Sequence, residues 1–350
     1  MAKFNHGELL EFGEQLLSAA GVPQMDSHLV AELLVKADLQ GYPGHGISRI
    51  LSYVSRIKTG LINLKERHEV TREGKTTAVI NGHHYVGQVV AHDGMKLAIK
   101  KAKEHGVGLV CLCQAAHIGR LADYMELAAE NGMIGIAAVS VGSGNIAPHG
   151  AMQPVTGTNP MAFGIPATNG QHIIFDFATA ATSMGELHKK VSRGEAIPAG
   201  MMLDGYGNPT TEYSAFIGPP RGSLLSFGGY KGSGINLMAE ILGGILSGTG
   251  LGREWWDQGG AATNGVFLQA FDVEEFQPLN DFRKKVDELV TFTKSRKPAP
   301  GFSEILLPGE MSRRRAEQSR KEGVEIEEGD WAKLLKCGTE LGVKASPKPF

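Results

Sequence analysis

The chain is 350 residues long and close to neutral, with 35 Lys and Arg against 37 Asp and Glu and a formal charge of −2. That length supports a large core spread over two or more domains or lobes, and the charge balance gives no argument for a nucleic acid or an anionic membrane surface as partner. The three cysteines, Cys111, Cys113 and Cys337, form an odd set with two members in one apolar run, the first residues lack an apolar signal core, and no uninterrupted 18-residue apolar span occurs; together these predict a cytoplasmic protein with reduced thiols.

Asn5-x-x-Glu8 is a capping-box pattern ahead of Leu9, Leu10, Phe12, Leu16 and Leu17, which predicts a first helix to about Ala20, stopped by Gly21-Val-Pro. Apolar positions at Leu29, Leu33, Leu34 and Ala37 predict a second helix over 26–39. The turn-rich hexamer Gly41-Tyr-Pro-Gly-His-Gly carries His45. It leads into a third amphipathic helix over 47–57, on which Arg49 and Tyr53 share a face four residues apart.

A region of alternating strand and helix follows. Residues 76–80 read as a strand, Asn81-Gly82 as a turn, 89–103 as a helix and Val107-Gly-Leu-Val-Cys-Leu-Cys113 as a buried strand. A helix after Arg120 and a strand over 134–141 extend the alternation. Loops are expected over 142–150 and 156–160, strands over 161–165 and 172–177, and an extended connection without periodicity over 192–213. Tyr230-Lys-Gly-Ser-Gly leads into a glycine-studded apolar helix over 235–246 that must pack closely. Residues 259–263 read as a flexible stretch before a strand at 265–271. A charged surface helix over 276–295, a strongly charged segment over 312–322, a last helix over about 329–335, and a basic, proline-containing tail expected to be disordered complete the chain.

Three common chemistries find no support in these residues. His45, His83, His84, His117 and His149 share no metal-ligand spacing, and Cys111-x-Cys113 has no second pair nearby, so no metal site is expected. Gly232-Ser-Gly lacks the offset of a nucleophile elbow. Gly142-Ser-Gly-Asn follows a strand but lacks the third glycine of the dinucleotide fingerprint, so any dinucleotide site is not the usual doubly wound one. What stands out is Ala116-His117-Ile118-Gly119-Arg120, directly after the buried strand. A histidine there, beside a glycine that lets another group approach, suits a proton donor; a histidine that merely caps backbone is the competing reading.

In order along the chain stand His45-Gly-x-x-Arg49, His117-x-Gly-Arg120, Gly157-Thr-Asn-Pro160, Asp176-x-Ala178, Gly207-x-Pro-Thr210 and Lys231-Gly232. With these motifs the chain, from about residue 5 to 335, resembles the malate/L-lactate dehydrogenases of the second, non-Rossmann type. Relatives of that group include ureidoglycolate, sulfolactate, hydroxycarboxylate and diketogulonate dehydrogenases and cyclic-imine reductases.

The resemblance implies a mixed α/β sheet with flanking helices, helical N- and C-terminal parts, and a homodimer whose substrate lies near the partner subunit. It divides the chain into a mainly helical terminal lobe, 1–72 with 285–350, and an α/β cofactor-binding and catalytic region, 73–284. His117 matches the proton donor and acceptor, Arg49 the residue holding the substrate carboxylate, and Tyr53 its neighbour on the helix. His45 matches a residue touching cofactor near the reacting carbon, and Thr158 and Asn159 a loop at the mouth of the site. Cofactor-contacting positions match Gly119, Arg120 and Leu121; then Ile174, Phe175, Asp176, Phe177 and Ala178; and finally Tyr230, Asn264, Leu307, Pro308, Gly309 and Glu310.

Elementary chemistry agrees with those roles. Hydride transfer between a 2-hydroxy acid and a nicotinamide needs a base of near-neutral pKa, which is histidine's range, and a planar two-pronged donor for the carboxylate, which is arginine's geometry. NAD is the expected cofactor and NADP the alternative, since NADP would call for Lys or Arg around a 2′-phosphate. The chain departs from the group's pattern at Gly44, where relatives carry serine, and at Gly185-Glu186, where many carry Gly-Lys. The substrate therefore stays open: a 2-hydroxy or 2-oxo acid such as malate or lactate is expected, a cyclic imino acid is the alternative, and a non-catalytic cofactor-binding relative is a third reading.

Overall fold

The computed structural model describes residues 2–254, 263–344 and 347–349. Its frame is a seven-stranded mixed sheet in the order β2-β3-β4-β12-β5-β7-β8. The apolar runs expected as buried strands form its middle, β4 (Val107–Ala115) and β5 (Met133–Val141), with β12 (Asn264–Asp272) inserted between them and antiparallel to both. β2 (Glu69–Glu73) and β3 (Thr77–Asn81) extend one side; β7 (Met161–Ile165) and β8 (Ile173–Phe177) extend the other. β3 and β4 pair in parallel, and the crossover this demands is α4 (Gly87–His105). β2 carries no pattern that sequence could register, because all five of its residues are exposed at the sheet edge.

Helices α4 and α5 (Ala122–Glu130) pack on the sheet, and so does α8 (Tyr230–Ala239), which continues as a π-helical turn over Glu240–Ile245. The close packing expected of that glycine-studded segment has a definite cause. A Cβ on Gly243 would lie 2.4 Å from the Ser140 nitrogen, and one on Gly265 2.2 Å from the Gly243 oxygen. Backbone therefore rests on backbone where the π turn crosses β5 and β12.

The N- and C-terminal segments meet. β1 (Ala2–Phe4) pairs antiparallel with β13 (Val324–Ile326), and α1 (His6–Ala19), α2 (Gln24–Leu39) and α3 (Arg49–Lys58) lie against α10 (Glu310–Glu322) and α11 (Glu328–Leu341). Asn5 caps α1 as its pattern requires, its side chain accepting from the Gly7 and Glu8 nitrogens at 2.8 and 3.3 Å. Trp331 of α11 seals the junction, 4.1 Å from the Phe4 ring centre and 5.5 Å from that of Phe12. α11 runs six residues past the predicted end at 335.

The extended connection expected over 192–213 is a correction. It contributes β9 (Met202–Leu203) and β10 (Pro209–Thr210), which join β6 (Ile146–Ala147) and β11 (Ser223–Leu225) in a second, four-stranded sheet. This sheet has its own core of Ile146, Leu187, Met202, Phe216 and Leu224. Strands of two or three residues are too short to show a period. α6 (Met184–Ser192) gives no sequence period because only Leu187 of its nine residues is buried, and α7 (Tyr213–Ile217) is a single short turn. α9 (Leu279–Lys294) is the expected surface helix, with no buried residue. Of the stretch 259–263 only Thr263 belongs to the described residues; of the tail, 345, 346 and 350 lie outside them, and Pro347 is buried.

Candidate active site

Sheet register decides where the functional side chains meet. Asn264, the first residue of β12, pairs with Ala115 at the end of β4 and with Val141 at the end of β5. Its Oδ1 accepts from the Ile118 nitrogen at 3.3 Å, and the buried Tyr124 hydroxyl donates to the Ile118 carbonyl. From the other side the first residue of α4 presses in: a Cβ on Gly87 would lie 2.1 Å from the Ala116 oxygen and 2.6 Å from that of His117. The backbone carrying His117 is thus held by three elements.

His45 arrives on the turn between α2 and α3. Asp38 accepts from the Ile47 nitrogen at 2.6 Å, and its carboxylate fills the place of a side chain on Gly46, 1.8 Å from where a Cβ would be. Only glycine fits there. The His45 and His117 rings lie nearly parallel, with centroids 5.5 Å apart and an interplanar angle of 10°. Arg49 opens α3 and is tethered by its Nε, which donates to the Gly44 carbonyl at 2.6 Å. Its two terminal nitrogens make no hydrogen bond among the described residues. One turn on, the buried Tyr53 hydroxyl stands 2.7 Å from Nδ1 of His117. Gln88, in the first turn of α4, is buried beside Gly119.

The electrostatics of the pair differ from the near-neutral base expected from sequence. Burial, then the His45, Arg49 and Arg56 side chains, hold His117 well below the ordinary histidine range. Burial and the Arg49 and Arg120 cations bring His45 down to about 4. Both imidazoles are neutral at pH 7. Burial lifts the Asp176 carboxyl to about 6 against the Ala122 N–H and Arg120; its Oδ2 accepts that N–H at 2.9 Å, at the start of α5. Arg120 is itself buried and engaged, donating to Gln40 and Asp123 at 2.6 Å each.

A cleft of about 1400 Å³ opens over these groups. His45, Arg49, His117, Gly119, Arg120, Leu121, Thr158, Asn264, the five residues from Ile174 to Ala178, and Leu307, Pro308 and Gly309 all line it. Four residues singled out from sequence do not. Tyr53 lies behind His117. Asn159 is fully buried beneath the 157–160 loop, accepting from the Val141 nitrogen at 3.0 Å and donating to Glu240 at 2.8 Å. Glu310 pairs with Lys294 at 2.8 Å, and Tyr230 is exposed on α8. Sequence reasoning passed over Ser183 and Met184 in the cleft wall, which no motif marks, and it weighed Asn145 only as the end of Gly142-Ser-Gly-Asn. Among the described residues no three His, Cys, Asp or Glu side chains are placed to hold a metal ion, and no helix is long and apolar enough to cross a membrane.

Residues 4–335 match the family profile described as malate/L-lactate dehydrogenase. The chain is 37% identical to the malate/(S)-sulfolactate dehydrogenase of Methanothermus fervidus, over 94% of this chain and 95% of that one. Its fold superposes on the solved sulfolactate dehydrogenase of Methanocaldococcus jannaschii with a TM-score of 0.90 at 35% identity, covering 97% and 98% of the two chains. It also resembles the structure of a delta1-piperideine-2-carboxylate reductase from Pseudomonas syringae, with a TM-score of 0.84 at 28% identity over 96% and 100% of the chains.

Proposed function

The chain belongs to the malate/L-lactate dehydrogenase family and is an oxidoreductase of hydroxy acids, and from that premise we propose an NAD-dependent, reversible dehydrogenase of a small 2-hydroxy acid, with His117 moving the proton and Arg49 holding the carboxylate. The observation that carries this reading is the juxtaposition at one cleft of a neutral imidazole and a guanidinium whose terminal nitrogens make no hydrogen bond among the described residues. The backbone around His117 is pinned, so the ring meets a substrate with little reorganisation.

The cleft suits a nicotinamide dinucleotide. Its volume exceeds the roughly 300–1000 Å³ of ordinary small-molecule pockets, leaving room for a dinucleotide and a small acid together. Two buried polar atoms in its wall, His45 Nδ1 and Asn145 Oδ1, have no hydrogen-bond partner among the described residues. Gly119 to Leu121, Ile174 to Ala178, Asn264 and Leu307 to Gly309 would hold the cofactor, which supplies the hydride acceptor or donor when bound. Most cations of the wall are already engaged: Lys36 with Glu126, Arg120 with Asp123, Lys189 with Glu186, and Arg313 with the His172 carbonyl. Few are left for a 2′-phosphate, which supports NAD over NADP. The three cysteines are unpaired, in keeping with the cytoplasmic location the reading includes. The division into a terminal lobe and a catalytic region belongs to the same proposal, supported by the β1–β13 pairing.

An initial-rate screen of pyruvate, oxaloacetate, 3-sulfopyruvate and cyclic imino acids, each with NADH and NADPH, tests it. Turnover of a 2-oxo acid with NADH preferred is the expected result. Turnover of imino acids alone would transfer the assignment to the reductase reading that the Pseudomonas neighbour suggests, and cofactor binding without any turnover would make the chain a non-catalytic relative.

The homodimer is part of the reading. Leu237, Met238, Ile241, Ile245 and Leu246 expose an apolar stripe along α8 and the π turn, and Tyr230 stands on the same helix. Since Tyr230 lies outside this chain's own cleft, its assignment to the cofactor requires the cleft of a second copy. Analytical ultracentrifugation at assay concentration should show a dimer; a fully active monomer would overturn this.

A further inference from the structure

Asp38 sits where general rules would not put a carboxylate. It is the penultimate residue of α2, at the negative end of that helix's dipole, and it is buried. Burial lifts its carboxyl to about 7 against the Ile47 N–H and the Arg120 cation. Arg120 itself gives its hydrogen bonds to Gln40 and Asp123. Local rules are broken in this way where function needs the residue, and Asp38 touches the joint behind the cleft.

That joint is Gly46–Ile47. Before it, Pro43–His45 form one tight turn, closed by the Gly46 N–H on the Pro43 carbonyl at 3.2 Å. After it comes α3, whose N-cap residue Ser48 makes no capping hydrogen bond, so the helix begins without the usual local anchor. Asp38 supplies one from a neighbouring helix. Its Oδ2 accepts from the Ile47 nitrogen at 2.6 Å, and the three atoms nearest a Cβ on Gly46 all belong to its carboxyl group. Gly46 has φ −85° and ψ −167°, which any residue adopts, so contact with that carboxyl group demands glycine here, and backbone conformation does not. Two residues of the site hang on the joint. His45 directly precedes it, and Arg49 opens α3 three residues on and reaches back with Nε to the Gly44 carbonyl at 2.6 Å. The guanidinium is thereby referenced to both sides. The outer residues of the turn, Tyr42 to Gly44, are exposed and are held separately. The Tyr42 hydroxyl lies 3.1 Å from Ser312 Oγ, and the Arg120 guanidinium stacks 5.4 Å from the centre of the Tyr42 ring.

We propose that Asp38 is a positioning residue of the reaction: by accepting from the Ile47 N–H it clamps the joint between the His45 turn and α3 to the end of α2, and so sets the Arg49 guanidinium for the substrate carboxylate. Ionised or protonated, the carboxyl group keeps an oxygen that accepts this N–H, so the clamp holds through neutral pH. The inference rests on Arg49 as the residue that holds the carboxylate, but the clamp itself can be read without any assay of turnover.

Amide hydrogen exchange at Ile47 is the direct readout. Wild type should exchange slowly there, and fast exchange would overturn the proposal whatever any variant does. Loss of the clamp can be separated from loss of packing. Asp38→Ala alone leaves a void beside Gly46; Asp38→Ala with Gly46→Ala refills it with a methyl group and should melt close to wild type. This double variant should exchange faster at Ile47 and raise KM for the 2-oxo acid about ten-fold, with kcat within about threefold and NADH affinity unchanged. Asp38→Asn keeps an oxygen acceptor and should recover both the low KM and the protection of Ile47. Arg49→Lys separates the proposal from its premise. In that background the double variant should add less than about twofold to KM, because both changes act through one guanidinium. If Arg49→Lys leaves KM for the acid unchanged, the reading of Arg49 fails. If it raises KM while the folded double variant does not, or if the two effects multiply, the clamp alone is overturned. KM, kcat and melting temperature changing together in the double variant would reduce Asp38 to a packing residue, as would an equally impaired Asp38→Asn enzyme.

Discussion

His117→Ala should lower turnover by about 10²–10⁴-fold in either direction, the usual worth of a positioned acid–base group, while cofactor affinity stays near its starting value. On the proposed assignment binding should survive, because the cleft wall that would hold the cofactor runs over Gly119 to Leu121, Ile174 to Ala178 and Leu307 to Gly309, whereas the proton would have one recipient, carried on the pinned strand end. pH dependence provides an independent check. Burial and three neighbouring side chains keep the free enzyme's His117 neutral through the physiological range. Oxidation, which needs the neutral ring, should therefore be flat in kcat/KM near pH 7 and fall only on the acid side of the ordinary histidine range. Reduction draws on the imidazolium, so its kcat/KM should fall about tenfold per pH unit as pH rises above the lowered pKa. A bound carboxylate on Arg49 offsets one of the depressing charges and should raise the pKa in the ternary complex. His45 is the rival, stacked 5.5 Å away. A His45→Ala enzyme that is dead beside a His117→Ala enzyme with near-normal turnover would hand the role to His45.

Arg49→Lys should reduce kcat/KM for the acid by about ten-fold to over a hundred-fold, because charge-assisted hydrogen bonds are worth about 1.5–3 kcal/mol each. Lysine keeps the charge but loses two things. The planar fork for the carboxylate goes, and so does the Nε that ties the side chain to the Gly44 carbonyl at 2.6 Å. Cofactor affinity should hardly change, and neither should the pH profile. Arg49→Leu separates charge from geometry: it removes a cation that depresses both histidines, so it should also shift the acid limb of oxidation upward. Unchanged efficiency in Arg49→Lys together with weaker cofactor binding would show that the guanidinium serves the cofactor instead.

How much of this was legible in the sequence depended on the length scale of the signal. Elements with a full period, such as the 9-residue β4 and β5 and the 14-residue α1, announced themselves through burial patterns. The second sheet did not, since Met202–Leu203 and Pro209–Thr210 are strands only because of what lies beside them. The site followed the same rule. His45, Arg49 and His117 stand in short motifs and could be named in advance. That Tyr53 would turn its hydroxyl toward His117 could not, since a helix face gives a direction and not a partner 64 positions away. Asn159 and Thr158 are adjacent in one motif, yet one is sealed under the loop and the other faces the cleft. The lowered histidine pKa values are also tertiary effects, produced by burial and by cations from other elements.

The insertion of β12 between β4 and β5 has a consequence for synthesis on the ribosome. β4 is complete at Ala115, yet the strand that covers its inner edge begins at Asn264, so about 150 further residues must be made first, roughly 7–30 s at 5–20 residues per second. From the completion of β5 at Val141 to the arrival of β12, the nascent chain carries two of its most apolar strands with facing edges open, the state most prone to pairing with a neighbouring polysome product. The last strand to join this sheet is also the one whose first residue pins the segment bearing His117, so the geometry of the proposed site and the closure of the sheet arrive in the same late step.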